Sequence, residues 1–204
     1  MRKTLFLPLF IFFCITTLFF YPILKGQVPF PGELLVGEYA PYNTNSYGGY
    51  APGGVPNKAQ GPDVIRELFP WKHFIITSLQ IGYLPFWNPY NFSGNPLLAN
   101  FQSAVFYPLN LIFLLLPFTI AWSIFIFLSP LLSGIFLYIF MREIKVTKLA
   151  SIFSAIAFSF SGYMTVWMEY GNIGHTMLWL PLGLYAVEKY RKESKFSYLF
   201  FHIS

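Results

Sequence analysis

Hydrophobic and polar positions fall along this chain in long blocks. Behind Met1-Arg2-Lys3, residues Leu5 to Leu24 form an uncharged run, close to the roughly 20 residues a helix needs to cross a ~30 Å hydrocarbon core. A cleaved secretory signal has a shorter apolar core and a small-residue cleavage site, which Tyr21-Pro22-Ile23-Leu24-Lys25 does not offer. The run therefore reads as an uncleaved first transmembrane helix within residues 1–24. Leu109 to Met141 is a second charge-free stretch, too long for one comfortable crossing and interrupted by Pro117 and Pro130. It divides into an interfacial or re-entrant segment ending at Leu116 and a crossing from about Phe118 to Phe140. Leu149 to Met168 reads as a third crossing and Thr176 to Val187 as the core of a fourth. Phe196 to Ile203 reads as the opening turns of a fifth, so the chain is expected to continue beyond Ser204.

Residues 25–108 have a different texture. From Gly26 to Pro62 the chain is dense in Gly, Pro, Asn and Tyr, as in Tyr47-Gly48-Gly49-Tyr50 and Pro52-Gly53-Gly54, the residues that punctuate regular structure. After Asp63, the apolar residues Val64, Leu68, Trp71, Ile75 and Leu79 recur at intervals of four, three, four and four. That is one face of a helix, ending at Gly82 with Pro85 close behind. Pro70 kinks or restarts it. A short amphipathic helix over about 63–82, lying on a membrane surface, is predicted.

Only 10% of the residues are charged, against about 25% in a soluble domain, so there is too little polar surface to coat a water-soluble globule. A bilayer removes that requirement, because lipid-facing helices need no charged coat. The predicted fold class is all-α: a polytopic transmembrane helical bundle (residues 109–204 carrying helices two to four and the start of a fifth) with a large first loop. The connections Arg142 to Lys148 and Lys189 to Lys195 are rich in Lys and Arg, like the N-terminus. With alternating helices all three fall on the cytoplasmic side, which makes loop 25–108 extracytoplasmic. The net charge of +5 is explained by those helix ends, and no basic run interleaved with aromatics points to nucleic acid. Cys14 alone supports neither an intramolecular disulfide nor a zinc or redox motif.

Candidate chemistry concentrates in the loop. Its acids are Glu33, Glu38, Asp63 and Glu67, and its cations Lys58, Arg66, Lys72 and His73. Asp63 opens the amphipathic helix and has two readings: an N-cap accepting from backbone N–H groups, or a general base activating a hydroxyl acceptor. Arg66 and Lys72 either pair with a phosphate or snorkel toward headgroups. Glu169 and His175 flank a turn at the outer end of the third crossing and read as solvated there. No phosphate loop, nucleophile elbow or paired-His metal motif is present, so no metal and no cofactor are expected. The segment Pro85 to Ala99, continuing through Gln102 to Asn110, is the most distinctive. Its prolines fix φ, Asn88, Asn91 and Asn95 suit turns, and Trp87, Tyr90 and Tyr107 suit the headgroup zone. A rigid aromatic seam leading the loop back to the bilayer is expected.

That segment resembles the YfhO-like family of bacterial multi-pass membrane proteins. The residues that carry the resemblance are Asp63, Pro70, Gly82 to Pro89 (containing Pro85-Phe86-Trp87-Asn88-Pro89) and Gln102 to Asn110, with Ser161-Gly162-Tyr163 and Trp179-Leu180-Pro181-Leu182 further on. It covers about Asp63 to Tyr190; residues 26–62 have no counterpart. The resemblance implies the GT-C glycosyltransferase fold, a polyprenyl-phosphate-linked sugar donor, an envelope glycan or lipid acceptor on the outer face of the bacterial cell membrane, and Asp63 as catalytic base. Arg66, Lys72, His73, Trp87 and Asn88 are then candidate substrate-binding residues. Other readings stay open: a non-catalytic membrane scaffold or permease component, or an outer loop that binds a partner. The crossing from Phe118 to Phe140 holds only Thr119, Ser123, Ser129 and Ser133 as polar residues, which disfavours ion transport.

Overall fold

The computed structural model describes residues 2–46, 49–54 and 63–194; Lys58 and the predicted turns at 196–203 lie outside them. The described chain is mostly helical, in line with the all-α expectation. Helix α1 spans Arg2–Phe19 and gives way to a 3₁₀ turn, Tyr21–Lys25, closed by Gly26 at φ 78°. The α-helix stops short of Leu24 because Pro22 withholds an N–H and disfavours the α region at Tyr21. After α2 (Glu33–Glu38), a π-helical turn Val64–Leu68 runs into α3 (Phe69–Gln80). Pro70 sits in the first turn of α3, where π-helical pairing, with the Phe69 N–H donating to the Val64 carbonyl, gives way to α-helical pairing; its missing N–H withdraws one bond at that junction.

A two-residue ladder follows, β1 (Trp87–Asn88) paired antiparallel with β2 (Asn95–Pro96), Trp87 opposite Pro96. Short helix α4 (Leu111–Leu115) precedes α5 (Phe118–Glu143). Then come α6 (Lys148–Ser159), α7 (Gly162–Met168), α8 (Ile173–Met177) and α9 (Leu180–Glu193). Among the described residues, α5 is the one helix that is by itself long and apolar enough to cross a membrane. Its 26 residues reach about 39 Å at the α-helical rise. The pair α6–α7 passes the same criterion only as one broken span, bent by 46°. The break lies where the Ser161 hydroxyl accepts from the Met164 N–H and starts a new helix. The apolar part of α1, Leu5–Phe19, is shorter, and α8 and α9 are separate because Pro181 opens a new first turn.

The chain divides into two units, residues 29–122 and residues 1–28 with 123–204. In the first, aromatic rings make the core. Phe69 lies 4.7 Å from Phe30, 4.9 Å from Phe118 and 5.3 Å from Trp122, centroid to centroid. The Trp122 indole N–H donates to the Pro29 carbonyl at 3.1 Å, satisfying its polar handle inside the cluster. Of the predicted apolar face, Val64, Leu68, Trp71 and Ile75 are buried and Leu79 is half-buried.

In the second unit Phe12, Tyr138 and Ala155 centre the core, with Phe12 edge-on to Tyr138 at 5.9 Å. Helices α5 and α6 approach closely along small residues: Ser133 Oγ donates to Ser159 Oγ at 3.1 Å, and a Cβ on Gly134 would stand 3.0 Å from Ser159 Oγ. Close backbone approach over small side chains is how helices pack where water supplies no driving force. At the ends of α5 and α9, Glu143 pairs with Lys189 at 3.3 Å and Lys192 at 2.9 Å.

Candidate functional site

The residues singled out by sequence lie in the unit formed by 29–122, on three pieces of backbone: the π-turn and α3, the β1–β2 hairpin, and the turn entering α4. Asp63 stands at the head of the π-turn. Its carboxylate is exposed and makes no capping hydrogen bond, so the N-cap reading is not realised. Asp63 already has α-helical dihedrals (φ −53°, ψ −38°), whereas a capping residue turns its side chain back from extended backbone. Val64, Ile65 and Leu68 are buried beside it, so the backbone that carries the carboxylate is anchored to the core. π-Turns of this kind often mark functional positions.

Arg66 is exposed one turn on. Its Nε–H donates to the Tyr39 hydroxyl at 2.5 Å, and its guanidinium lies 5.5 Å from the same ring's centroid. Tyr39 thus fixes a cation near the Asp63 end of the helix by a hydrogen bond and a cation–π contact. Nothing in the sequence marked Tyr39, because the pairing closes a separation of 27 residues through an irregular segment. His73 is exposed as well, its ring 5.2 Å from Phe118.

Lys72 differs from these. It is buried, and its Nζ donates to Asn110 Oδ1 at 2.7 Å and stands 5.9 Å over the Phe113 ring. Burial in this apolar setting lowers its pKa from 10.5 to about 7, because desolvation penalises the ammonium. A sequence signal for this existed: Lys72 sits four after Leu68 and three before Ile75, on the apolar face itself. Asn110 in turn donates through Nδ2 to the carbonyls of Ala104 at 2.6 Å and Val105 at 3.1 Å. It was expected only as part of the aromatic seam, yet it joins α3 to that seam.

Trp87 and Asn88 serve the hairpin. Asn88 is buried; its Oδ1 accepts from the Tyr90 N–H at 3.0 Å and its Nδ2 donates to Asn91 Oδ1 at 3.3 Å. Those bonds make the turn that the Asn spacing predicted. The half-exposed Trp87 covers Gly94, whose φ of +110° and lack of a side chain are both required: a Cβ there would come 2.5 Å from Trp87 Nε1. The site residues therefore form two groups. Asp63 and Arg66 are presented to solvent, while Lys72 and Asn88 are engaged inside the unit.

His175, in the other unit, is not the solvated turn residue expected. It is buried and stacked on Phe125 at 3.9 Å, with Nε2 2.8 Å from the Phe125 carbonyl. A carbonyl only accepts, so Nε2 carries the proton. Helix α8 turns its side chain inward because Gly171, at φ +66°, lets the chain pass with its Cα side against Phe125. No group of three or more His, Cys, Asp or Glu able to hold a metal ion occurs among the described residues. Comparison of the chain with protein families, with curated proteins and with solved structures returns no match in any of the three.

Proposed function

We propose that this chain is a membrane-embedded glycosyl-transfer module, taking sugar from a polyprenyl-phosphate-linked donor, with Asp63 as the general base on the outer face. The observation that carries the reading is the exposed, uncapped carboxylate of Asp63 at a π-turn whose other side is locked into the core. A base must reach its acceptor hydroxyl directly or through one water, and a carboxylate spent on capping would not. Arg66, held by Tyr39, supplies a cation on the same turn for an anionic donor group. In this reading α1, α5, the α6–α7 pair and α8–α9 make four crossings, with the N-terminus and the basic connections 142–148 and 189–195 in the cytoplasm. The charge pattern supports it, and residues 25–108 then face outward.

The test is Asp63→Asn, assayed for transfer of labelled sugar from polyprenyl-phosphate donor in membrane vesicles. Loss of a general base costs about 100-fold or more, with insertion and protein level unchanged. An Asn variant that transfers sugar at the full rate rejects the assignment. It would favour instead a non-catalytic scaffold, a reading supported by Lys72, Trp87 and Asn88 all being engaged within their own unit.

A further inference from the structure

From Phe74 to Met141 the chain contains no Asp, Glu, Lys or Arg. Half of that run is not a helix crossing anything: it is the hairpin and the turns between α3 and α4. There the aromatic side chains point outward. Phe101 is 95% exposed, Phe92 90%, Tyr90 79% and Phe106 71%. Together they present roughly 500 Å² of aromatic surface, the size of the patches that mark interaction sites. Phe101 and Phe106 also wall one open cavity of about 280 Å³, lined with Leu98, Ser103, Val105 and Tyr107.

Part of the backbone beneath those rings is paired internally. Gly94, Leu97, Ala104, Tyr107 and Asn110 donate their N–H groups to Asn91, Phe86, Phe101, Ala104 and Tyr107 respectively. The carbonyls of Ala104 and Val105, next to the cavity, accept from Asn110 Nδ2, and that of Leu97 accepts from Ser103 Oγ at 3.0 Å. Each such bond leaves one polar group fewer to bring into lipid, where nothing replaces a lost hydrogen bond.

We propose that Phe101 and Phe106, with Tyr90 and Phe92 of the hairpin tip, form a docking surface for the phospholipid bilayer, the cavity between the two Phe rings receiving part of an acyl chain. Lipid is the occupant that the chemistry favours. A protein interface carries a polar rim with charged groups, and this surface has no charge to contribute. The chain also runs on from this segment through exposed Leu111 and Leu115 of α4 into α5, the helix long and apolar enough to cross a membrane. Aromatic rings sit at the headgroup level on both sides of such helices.

The experiment uses the full chain in vesicles of phosphatidylcholine and phosphatidylglycerol. In a Cys14→Ser background, a nitroxide is attached through Phe101→Cys or Phe106→Cys, both outside the core. Collision with oxygen, which concentrates in lipid, is compared with collision with a water-soluble nickel chelate. Oxygen collisions exceeding nickel collisions several-fold at both sites are expected. Nickel collisions in excess would place the surface in water and overturn the proposal. Shielding from both reagents would overturn it too, by showing a protein cover such as a second copy of the chain.

Discussion

Lys72 donates from Nζ to Asn110 Oδ1 across 2.7 Å inside the unit formed by residues 29–122. The two residues are 38 positions apart, one on α3 and the other where the aromatic seam enters α4. Asn110 spends its Nδ2 on the carbonyls of Ala104 and Val105, so one amide ties three segments together. This contact decides how the seam is held against α3.

Removing the two partners is therefore expected to have unequal effects. Asn110→Ala leaves Lys72 without this acceptor and two carbonyls without their donor, and should cost about 3–5 kcal/mol. Lys72→Met keeps the volume and removes a buried charge, so it should cost less than about 1 kcal/mol or stabilise. Thermal unfolding in detergent, followed by tryptophan fluorescence, compares them. Equal losses would mean that the bond, and not the buried charge, dominates.

The same lysine makes stability depend on pH. Its pKa is lowered to about 7 in the folded chain against 10.5 unfolded. Below pH 7 the amine is protonated in both states and contributes no slope. Between 7 and 10.5 the unfolded chain holds a proton that the folded chain has released, so stability rises with pH by at most about 1.4 kcal/mol per unit. The rise should be present in the parent protein and missing from Lys72→Met. A parent profile that falls across this window would remove the assignment.

Gly94→Ala should disturb the hairpin. The new Cβ would meet the Trp87 indole at 2.5 Å on a backbone at φ +110°, a region closed to residues with a side chain. The expected loss is about 1–3 kcal/mol, accompanied by a change in tryptophan emission. Unchanged emission and stability would show that Trp87 does not rest on Gly94.

Gly134→Leu should separate α5 from α6. A Cβ at this position stands 3.0 Å from Ser159 Oγ and 3.6 Å from the Phe12 ring, leaving no space for a larger group. Overpacking of about 1–3 kcal/mol is expected, and a disulfide between Ser133→Cys and Ser159→Cys, expected in the parent background from the 3.1 Å between the two hydroxyls, should form less completely. Complete cross-linking in the Leu variant would refute this close packing.

Some features could be read locally. Helix α5 was legible because an apolar, charge-free run of that length has few alternatives, and its observed start at Phe118 follows Pro117. The apolar face Val64, Leu68, Trp71 and Ile75 was legible from its period, as were the turn-forming roles of Asn88 and Asn91, whereas Asn95 lies in β2. The breaks at Phe160-Ser161 and at Pro181 were harder: their hydrophobicity continues through both, and only a hydroxyl cap or a missing N–H interrupts the helix. His175 was misplaced because a polar residue between helices looks solvated until a ring is found stacked on it.

By itself the sequence determined that the chain is mostly helical and which long run is apolar enough to cross a membrane, since charge content and hydrophobic period act over a few turns of chain. It also named Asp63, Arg66 and Lys72 as residues with chemistry to offer. Only the tertiary structure decided which of them remains available. Whether a carboxylate is capped, a guanidinium is held by a distant tyrosine, or an ammonium is buried against a distant asparagine depends on partners brought together by packing, across separations that no local pattern encodes.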